Sequence, residues 1–257
     1  MPLLRALFAN LLLLLFGYAL EAAESFTPVS FHEIEVEVAS GSSCKLSLMR
    51  FDTSEVDLKI ISNGSEFKNP AYGSLQEALQ RNGCLAGSNG GFFDTDPFSA
   101  VGYLVIDSQV VAERPDKQWM HGLVLVEGGN LSLGNIDELL QKNIPQAALQ
   151  SGPRLVRAGE PEPDLHDPRR AWRTFIGRDS NQNWILGIAS AVSLKDLSQA
   201  LLSHEMKQVI ELDYVLNLDG GSSTGLYLET DGAKKFHREP SRVQNFIGIA
   251  PRIKNGS

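Results

Sequence analysis

The chain has 257 residues, with 23 basic against 31 acidic side chains, a formal net charge of −8 and 42% hydrophobic residues. This composition excludes a disordered tail, a disulfide-knit miniprotein and a collagen-like rod, because the apolar fraction is ordinary and Gly and Pro carry no period. The acidic balance also argues against a nucleic-acid binder, whose affinity would rest on many Lys and Arg contacts to phosphate.

The N-terminus reads as a secretion signal. Arg5 marks a short basic region, residues 6–16 are apolar, and small residues Ala19, Ala22 and Ala23 follow, the pattern of a leader peptide. Residues 1–23 are therefore expected to be removed on export, leaving a domain over 24–257 that is periplasmic or secreted. With Asn10 interrupting it, the stretch falls short of the ~20 apolar residues of a membrane span; an uncleaved anchor is the alternative. No later segment is apolar enough to span, so no stable membrane span is expected after cleavage. Export also changes the reading of the two cysteines. Cys44 and Cys84 either pair in an oxidising compartment or remain buried free thiols that behave as small hydrophobes.

Short strands broken by turns dominate the rest. Residues 31–39 alternate, with Ile34, Val36 and Val38 on one face and Glu33, Glu35 and Glu37 on the other, as a half-buried strand does. Strands follow at 45–51 and 56–61. Ser74 and Glu77 form a capping box that predicts a helix over 74–82. Residues 101–106 and 109–112 form one hairpin, and 123–127 with 130–133 another around Gly128-Gly129, a pair that tolerates the positive φ of tight turns. Asn135 caps a short helix reaching 141, and Ser193 caps a longer one over 194–206. Later strands are predicted at 174–178, 184–189, 214–218, 225–228 and 246–250. Residues 160–173, rich in Pro, Asp and Arg, are a possible linker but a short one. The expectation is a single α+β domain of mixed β-sheets with few helices, whose loops carry function.

Three segments stand out chemically. In Asn89-Gly90-Gly91-Phe92-Phe93-Asp94 a strand runs into glycines that let backbone approach a ligand, an apolar wall and a carboxylate. In Asn217-Leu218-Asp219-Gly220-Gly221-Ser222-Ser223-Thr224 a strand delivers a carboxylate beside flexible amides and hydroxyls, which suits acid/base work and equally a strand-to-turn cap. Asp167-Pro168-Arg169-Arg170-Ala171-Trp172-Arg173 is a local cation cluster; Arg grips phosphate through its planar fork. Arg173, at the start of a predicted strand, is the member best placed to enter a site. Neither a phosphate-cradling G-K-[ST] loop nor a dinucleotide fingerprint is present. No Cys/His cluster has zinc-ligand spacing, and Asp94 with Asp96 lacks a full set of calcium ligands, so neither a metal nor another cofactor is expected.

Together, Asn89-Gly90-Gly91-Phe92-Phe93, Ser151-Gly152-Pro153-Arg154-Leu155-Val156, Arg173-Thr174-Phe175-Ile176-Gly177 and Asn217-Leu218-Asp219-Gly220-Gly221-Ser222-Ser223-Thr224 occur in the order seen in the phosphodiester glycosidase family. The chain resembles that family over residues 40–252, and looks like a bacterial exported member. The resemblance implies hydrolysis of the bond between a sugar's anomeric carbon and a phosphodiester oxygen, with a small-molecule or glycan sugar phosphodiester as substrate. It implies a catalytic Asp219 as base or nucleophile, with Asp94 as second choice and Arg173 on the phosphate. Asn89, Gly90, Gly91, Phe93, Asn217, Gly220, Gly221 and Ser222 would contact substrate. Two rivals remain open: an envelope glycan-binding module without turnover, and a metal-dependent phosphodiesterase that cuts P–O.

Overall fold

The computed structural model describes residues 28–39, 41–230 and 233–252; the expected leader lies outside them. The N-terminal strands are β1 (Val29–Glu37), β2 (Ser43–Asp52) and β3 (Val56–Ser62), followed by helix α1 (Leu75–Arg81) and β4 (Ala86–Asn89). Short strands come next: β5 (Phe93–Thr95), β6 (Phe98–Ala100), β7 (Leu104–Ile106) and β8 (Gln109–Ala112). Then follow β9 (Gly122–Glu127), β10 (Asn130–Asn135), α2 (Ile136–Leu139), β11 (Ala147–Ser151), β12 (Arg154–Arg157) and β13 (Glu160–Pro161). The remaining elements are β14 (Ala171–Arg178), β15 (Asn183–Val192), α3 (Leu194–Ala200), α4 (His204–Lys207) and β16 (Tyr214–Asn217). The chain closes with β17 (Leu226–Thr230), β18 (Ala233–His237) and β19 (Asn245–Pro251).

The strands form a seven-stranded sheet, β1-β2-β15-β14-β16-β12-β13, and two five-stranded sheets, β10-β9-β11-β7-β8 and β18-β17-β4-β19-β3, with β5-β6 as a separate ribbon. The result is an α+β domain dominated by antiparallel sheet. Period-two alternation decides the layers. In the seven-stranded sheet Met49, Ile176, Trp184 and Leu186 point inward to a core shared with the other two sheets. Their neighbours Leu48, Phe175 and Ile185 point outward, under Leu194 and Leu197 of α3 and Met206 of α4. Helix α1 covers the outer face of the sheet that contains β4, through Leu75 and Leu79 against Tyr227 and Phe246.

Caps set the helix ends. The Ser74 hydroxyl accepts from the Glu77 N–H at 3.2 Å, while Glu77 Oε2 reaches back to the Gly73 N–H at 2.8 Å. The helix expected over 194–206 is two short ones: Ser193 caps the first, and the Ser203 hydroxyl accepts from the Met206 N–H at 3.2 Å and starts a second. A serine that offers its own acceptor to the backbone competes with helix continuation. The hairpin turn at Gly128 and Gly129 has φ of 56° and 77°. Residues 160–173 form no linker: β13 pairs with β12, and Arg173 is tied to Asp167. Cys44 and Cys84 are both free and buried, lying in separate packed clusters.

Candidate active site

All four singled-out motifs meet at one end of the sheets. Asn89 ends β4 with its side chain 1% exposed. Its Nδ2 donates to the Asp219 carbonyl at 2.7 Å, and its Oδ1 accepts from the Thr174 hydroxyl at 2.8 Å and the Gly225 N–H at 3.1 Å. The backbone repeats the tie, because the Asp219 N–H donates to the Gly90 carbonyl at 3.1 Å and the Leu218 N–H to the Thr174 carbonyl at 2.8 Å. The Ser151-Gly152-Pro153 motif joins through Asn217, whose Nδ2 donates to the Gly152 carbonyl at 2.9 Å, and through the Ser151 hydroxyl, which donates to the Asn217 carbonyl at 2.8 Å. Buried polar groups need such partners, and each bond contributes about 0.5–1.5 kcal/mol net.

Asp219 is the chemically distinctive group of this network. Burial pushes its carboxyl up to about 6 from an ordinary 3.8, although the Ser223 hydroxyl and the Gly220 N–H partly favour the charged form. The Gly220 N–H donates to Asp219 Oδ1 at 2.8 Å. No cation is among the groups that shift Asp219. The following loop hugs the sheet: a Cβ on Gly220 would lie 2.6 Å from the Trp172 carbonyl, while Gly221 takes a φ of +62° in open space.

The other predicted residues fall into different settings. The N–H groups of Gly90 and Gly91 donate to Asn245, to its carbonyl at 2.9 Å and its Oδ1 at 2.7 Å, so they do not face outward as free anion donors. Arg173, 5% exposed, turns to the sheet face opposite Thr174. Its Nη2 donates to Asp167 Oδ2 at 3.1 Å and the Arg169 carbonyl at 2.6 Å, and its Nε to the Val192 carbonyl at 3.2 Å. Asn217 is buried with Oδ1 lacking a partner among the described residues. Phe93 and Asp94 leave on the β5–β6 ribbon, where Phe93 packs edge-on against Phe98 at 5.5 Å and Asp94 is exposed, outside the network. Ser222 is exposed, and its carbonyl accepts from the Ser241 N–H at 2.9 Å.

Other residues around the motifs take up positions that the sequence pattern did not assign. Asn245, an ordinary polar residue opening the last strand, holds the first glycine pair. Phe92, rather than Phe93, forms an edge-on pair at 5.1 Å with Trp119, itself 43% exposed. The loop bearing Trp119 presses on Gly152, where a Cβ would sit 2.1 Å from the Trp119 carbonyl. Arg154 pairs with Glu162 at 2.5 Å. Beside them, burial and the Arg154 charge hold His121 below its usual range.

Among the described residues no group of three or more His, Cys, Asp or Glu gathers as a metal site would, and no helix is long and apolar enough to cross a membrane.

A desolvated carboxylate on a glycine loop, carried on a β-rich domain, is set in a glycosidase-type hydrolase by the comparisons with known proteins. The chain belongs to the phosphodiester glycosidase family, whose sequence profile it matches over residues 82–250. No curated protein matches it. Its fold is similar to the zebrafish N-acetylglucosamine-1-phosphodiester alpha-N-acetylglucosaminidase catalytic domain, auto-inhibited by its pro-peptide. There the TM-score is 0.64 at 18% identity, covering 90% of this chain and 86% of the other. It is also similar to a hypothetical protein from Synechocystis, with TM-score 0.57, 15% identity and coverage of 88% and 62%. A putative exported protein from Burkholderia pseudomallei K96243 follows, with TM-score 0.51, 12% identity and coverage of 82% and 75%.

Proposed function

We propose that this chain is an exported hydrolase that cleaves the glycosidic C–O bond of a sugar-1-phosphodiester, releasing free sugar and a phosphate monoester. A water oxygen bonds the anomeric carbon, the carbon–oxygen bond to phosphate breaks with its electron pair on the phosphate, and the water's proton passes to Asp219. A phosphate monoester leaves well without strong protonation, so the demand falls on the base side and on a carboxylate near the oxocarbenium-like centre. The observation that carries this reading is Asp219 itself. It is a carboxyl raised to about 6 by burial, poised near neutral pH, on the loop where four motifs converge.

Arg173 supports the site from behind, by anchoring the start of β14 against which Gly220 packs. Asn89 and Asn245 set the two glycine loops in place. The test is a turnover assay of the exported chain on a panel of sugar-1-phosphodiesters, beside Asp219→Asn. Release of sugar and phosphate monoester by the native chain alone is the expected result. An inverted anomeric product makes Asp219 a base, whereas a retained one makes it a nucleophile. No turnover by the folded chain on any member of the panel overturns the reading.

A further inference from the structure

The loop over residues 63–72, between β3 and α1, closes on Asn63. The Asn63 carbonyl accepts from the Ala71 N–H at 3.1 Å, and its Oδ1 from the Tyr72 N–H at 2.7 Å. Two further bonds tie the loop to the chain that enters β19. The Asn63 N–H donates to the Gln244 carbonyl at 2.7 Å, and its Nδ2 to the Val243 carbonyl at 2.8 Å. Asn63 and Gln244 are both buried. The Gln244 side chain faces two ways: its Nε2 donates to the Gly64 carbonyl at 3.1 Å and the Ser62 hydroxyl at 3.3 Å, and its Oε1 accepts from Asn245 Nδ2 at 2.9 Å. That acceptor decides which way round the Asn245 amide sits. With Nδ2 turned to Gln244, the Asn245 Oδ1 is left to accept from the Gly91 N–H at 2.7 Å, while the Asn245 carbonyl takes the Gly90 N–H at 2.9 Å. The Gly90 carbonyl in turn accepts from the Asp219 N–H at 3.1 Å. A run of hydrogen bonds therefore leads from loop 63–72 to the backbone of Asp219.

We infer that Gln244 is a positioning residue for the reaction at Asp219, orienting the Asn245 amide that sets the Gly90-Gly91 backbone, with loop 63–72 as its anchor. A primary amide has a donor end and an acceptor end of nearly the same shape, so packing alone does not choose between its two orientations. Gln244 Oε1 makes the choice. In the flipped orientation the Asn245 NH2 would meet the Gly91 N–H, donor against donor, in a buried place where an unpaired group is costly. Gln244 acts on Asp219 only through Asn245 and Gly90. Because small displacements of a reacting group are expensive in rate, an error in this chain falls on the chemical step rather than on substrate binding. Loop 63–72 precedes residue 82, where the family match begins, so the anchor comes from chain that the match does not include. The inference rests on the hydrolase reading for its effect on turnover, and on hydrogen bonds alone for its effect on the surroundings of Asp219.

The experiment compares the native chain with Gln244→Met, which keeps the volume and removes both polar ends, and with Gln244→Glu, which keeps the acceptor for Asn245. Ser203→Ala, which removes the cap of α4, is the control for lost stability alone. Each is checked for folding by circular dichroism, assayed on sugar-1-phosphodiesters, and titrated by carbon NMR of the Asp219 carboxyl, assigned against Asp219→Asn. Gln244→Met should lose roughly 10- to 100-fold in kcat with KM within about twofold. Its Asp219 carboxyl should titrate below the native value of about 6, toward the ordinary 3.8, as a loosened loop admits water. Gln244→Glu should keep most of the native kcat, and Ser203→Ala all of it. The inference is overturned if folded Gln244→Met has native kcat and native Asp219 titration, or if Ser203→Ala loses as much kcat. Hydrogen exchange on the native chain supplies a test that needs no variant: the Gly90, Gly91 and Asp219 amides should be protected together, and a freely exchanging Asp219 amide beside a protected Gly91 also overturns it. The two readings fail separately. A moved Asp219 titration in Gln244→Met, with no turnover by the native chain, removes the hydrolase reading and leaves the positioning; native turnover that Gln244→Met shares in full does the reverse.

Discussion

Asn89 donates its side-chain N–H to the backbone carbonyl of Asp219 at 2.7 Å, across 130 residues of sequence. The same side chain accepts from Thr174 and Gly225, so one amide fastens β4 to strand β14 and to both ends of the loop between β16 and β17. Asn89→Ala strands the buried Gly225 N–H and leaves the Thr174 hydroxyl only its 3.4 Å contact with the Thr224 hydroxyl. A loss of about 2–4 kcal/mol in urea unfolding is expected, together with loss of turnover. Asn89→Asp also loses the donor and sets a buried carboxylate against the Asp219 carbonyl, so it should cost at least as much stability as Asn89→Ala.

Asp219→Asn should abolish turnover and raise stability at pH 7–8. A carboxyl raised to about 6 in the folded chain, from an ordinary 3.8, binds its proton more tightly when folded than when unfolded. Its contribution therefore favours folding below about pH 4 and is lost as the pH climbs through 6. The native chain should gain roughly 1–3 kcal/mol relative to Asp219→Asn as the pH falls from 7 to 4, read from melting curves at several pH values. If Asp219 is the base, kcat/KM should fall about tenfold per pH unit below 6.

Gly90 leaves no room for a side chain, since a Cβ would stand 2.1 Å from Asn245 Oδ1. Gly90→Ala is expected to cost about 1–3 kcal/mol by overpacking. Because Asn245 is the atom struck, the double variant Gly90→Ala with Asn245→Ala should lose less than the sum of the singles. A thermodynamic cycle reads that coupling directly; strict additivity would count against a direct clash.

Arg173 is expected to act on stability rather than on phosphate affinity. Arg173→Ala removes the guanidinium donor from the Val192 and Arg169 carbonyls and from Asp167, which keeps only Arg169, costing about 1–3 kcal/mol, with KM for a sugar phosphodiester nearly unchanged. A raised KM with unchanged stability would make Arg173 a phosphate clamp after all.

Both thiols should resist modification in the native state. Burial pushes Cys84 up to about 11 and raises Cys44 as well, so little thiolate is available. Two thiols should titrate with Ellman's reagent in guanidinium and almost none before unfolding, and reducing agent should leave the melting temperature unchanged.

Much of the fold follows from local rules. The alternation of Ile34, Val36 and Val38 against Glu33, Glu35 and Glu37, the Ser74 and Ser193 caps and the Gly128-Gly129 turn each act within a few residues, so strands, helix starts and a hairpin are visible in one dimension. The ordered motifs picked out segments that the fold brings together, because glycines and a carboxylate after a strand are a local pattern too. Strands such as β12 and β18 escaped, as four- or five-residue polar segments become strands only when a neighbour supplies the ladder.

What the sequence alone determined is the α+β character, the family resemblance and Asp219 as a loop-borne carboxylate. The tertiary structure alone decided which groups around it are available. Asn245 satisfies the Gly90 and Gly91 amides, Arg173 turns to Asp167, Phe92 rather than Phe93 meets Trp119, and the cysteines lie in separate clusters. The physical reason is common to all four. A side chain's partners depend on burial and on contacts between distant segments, such as Gly91 and Asn245, 154 residues apart, and most buried polar groups find a partner only when the sheets have closed around them.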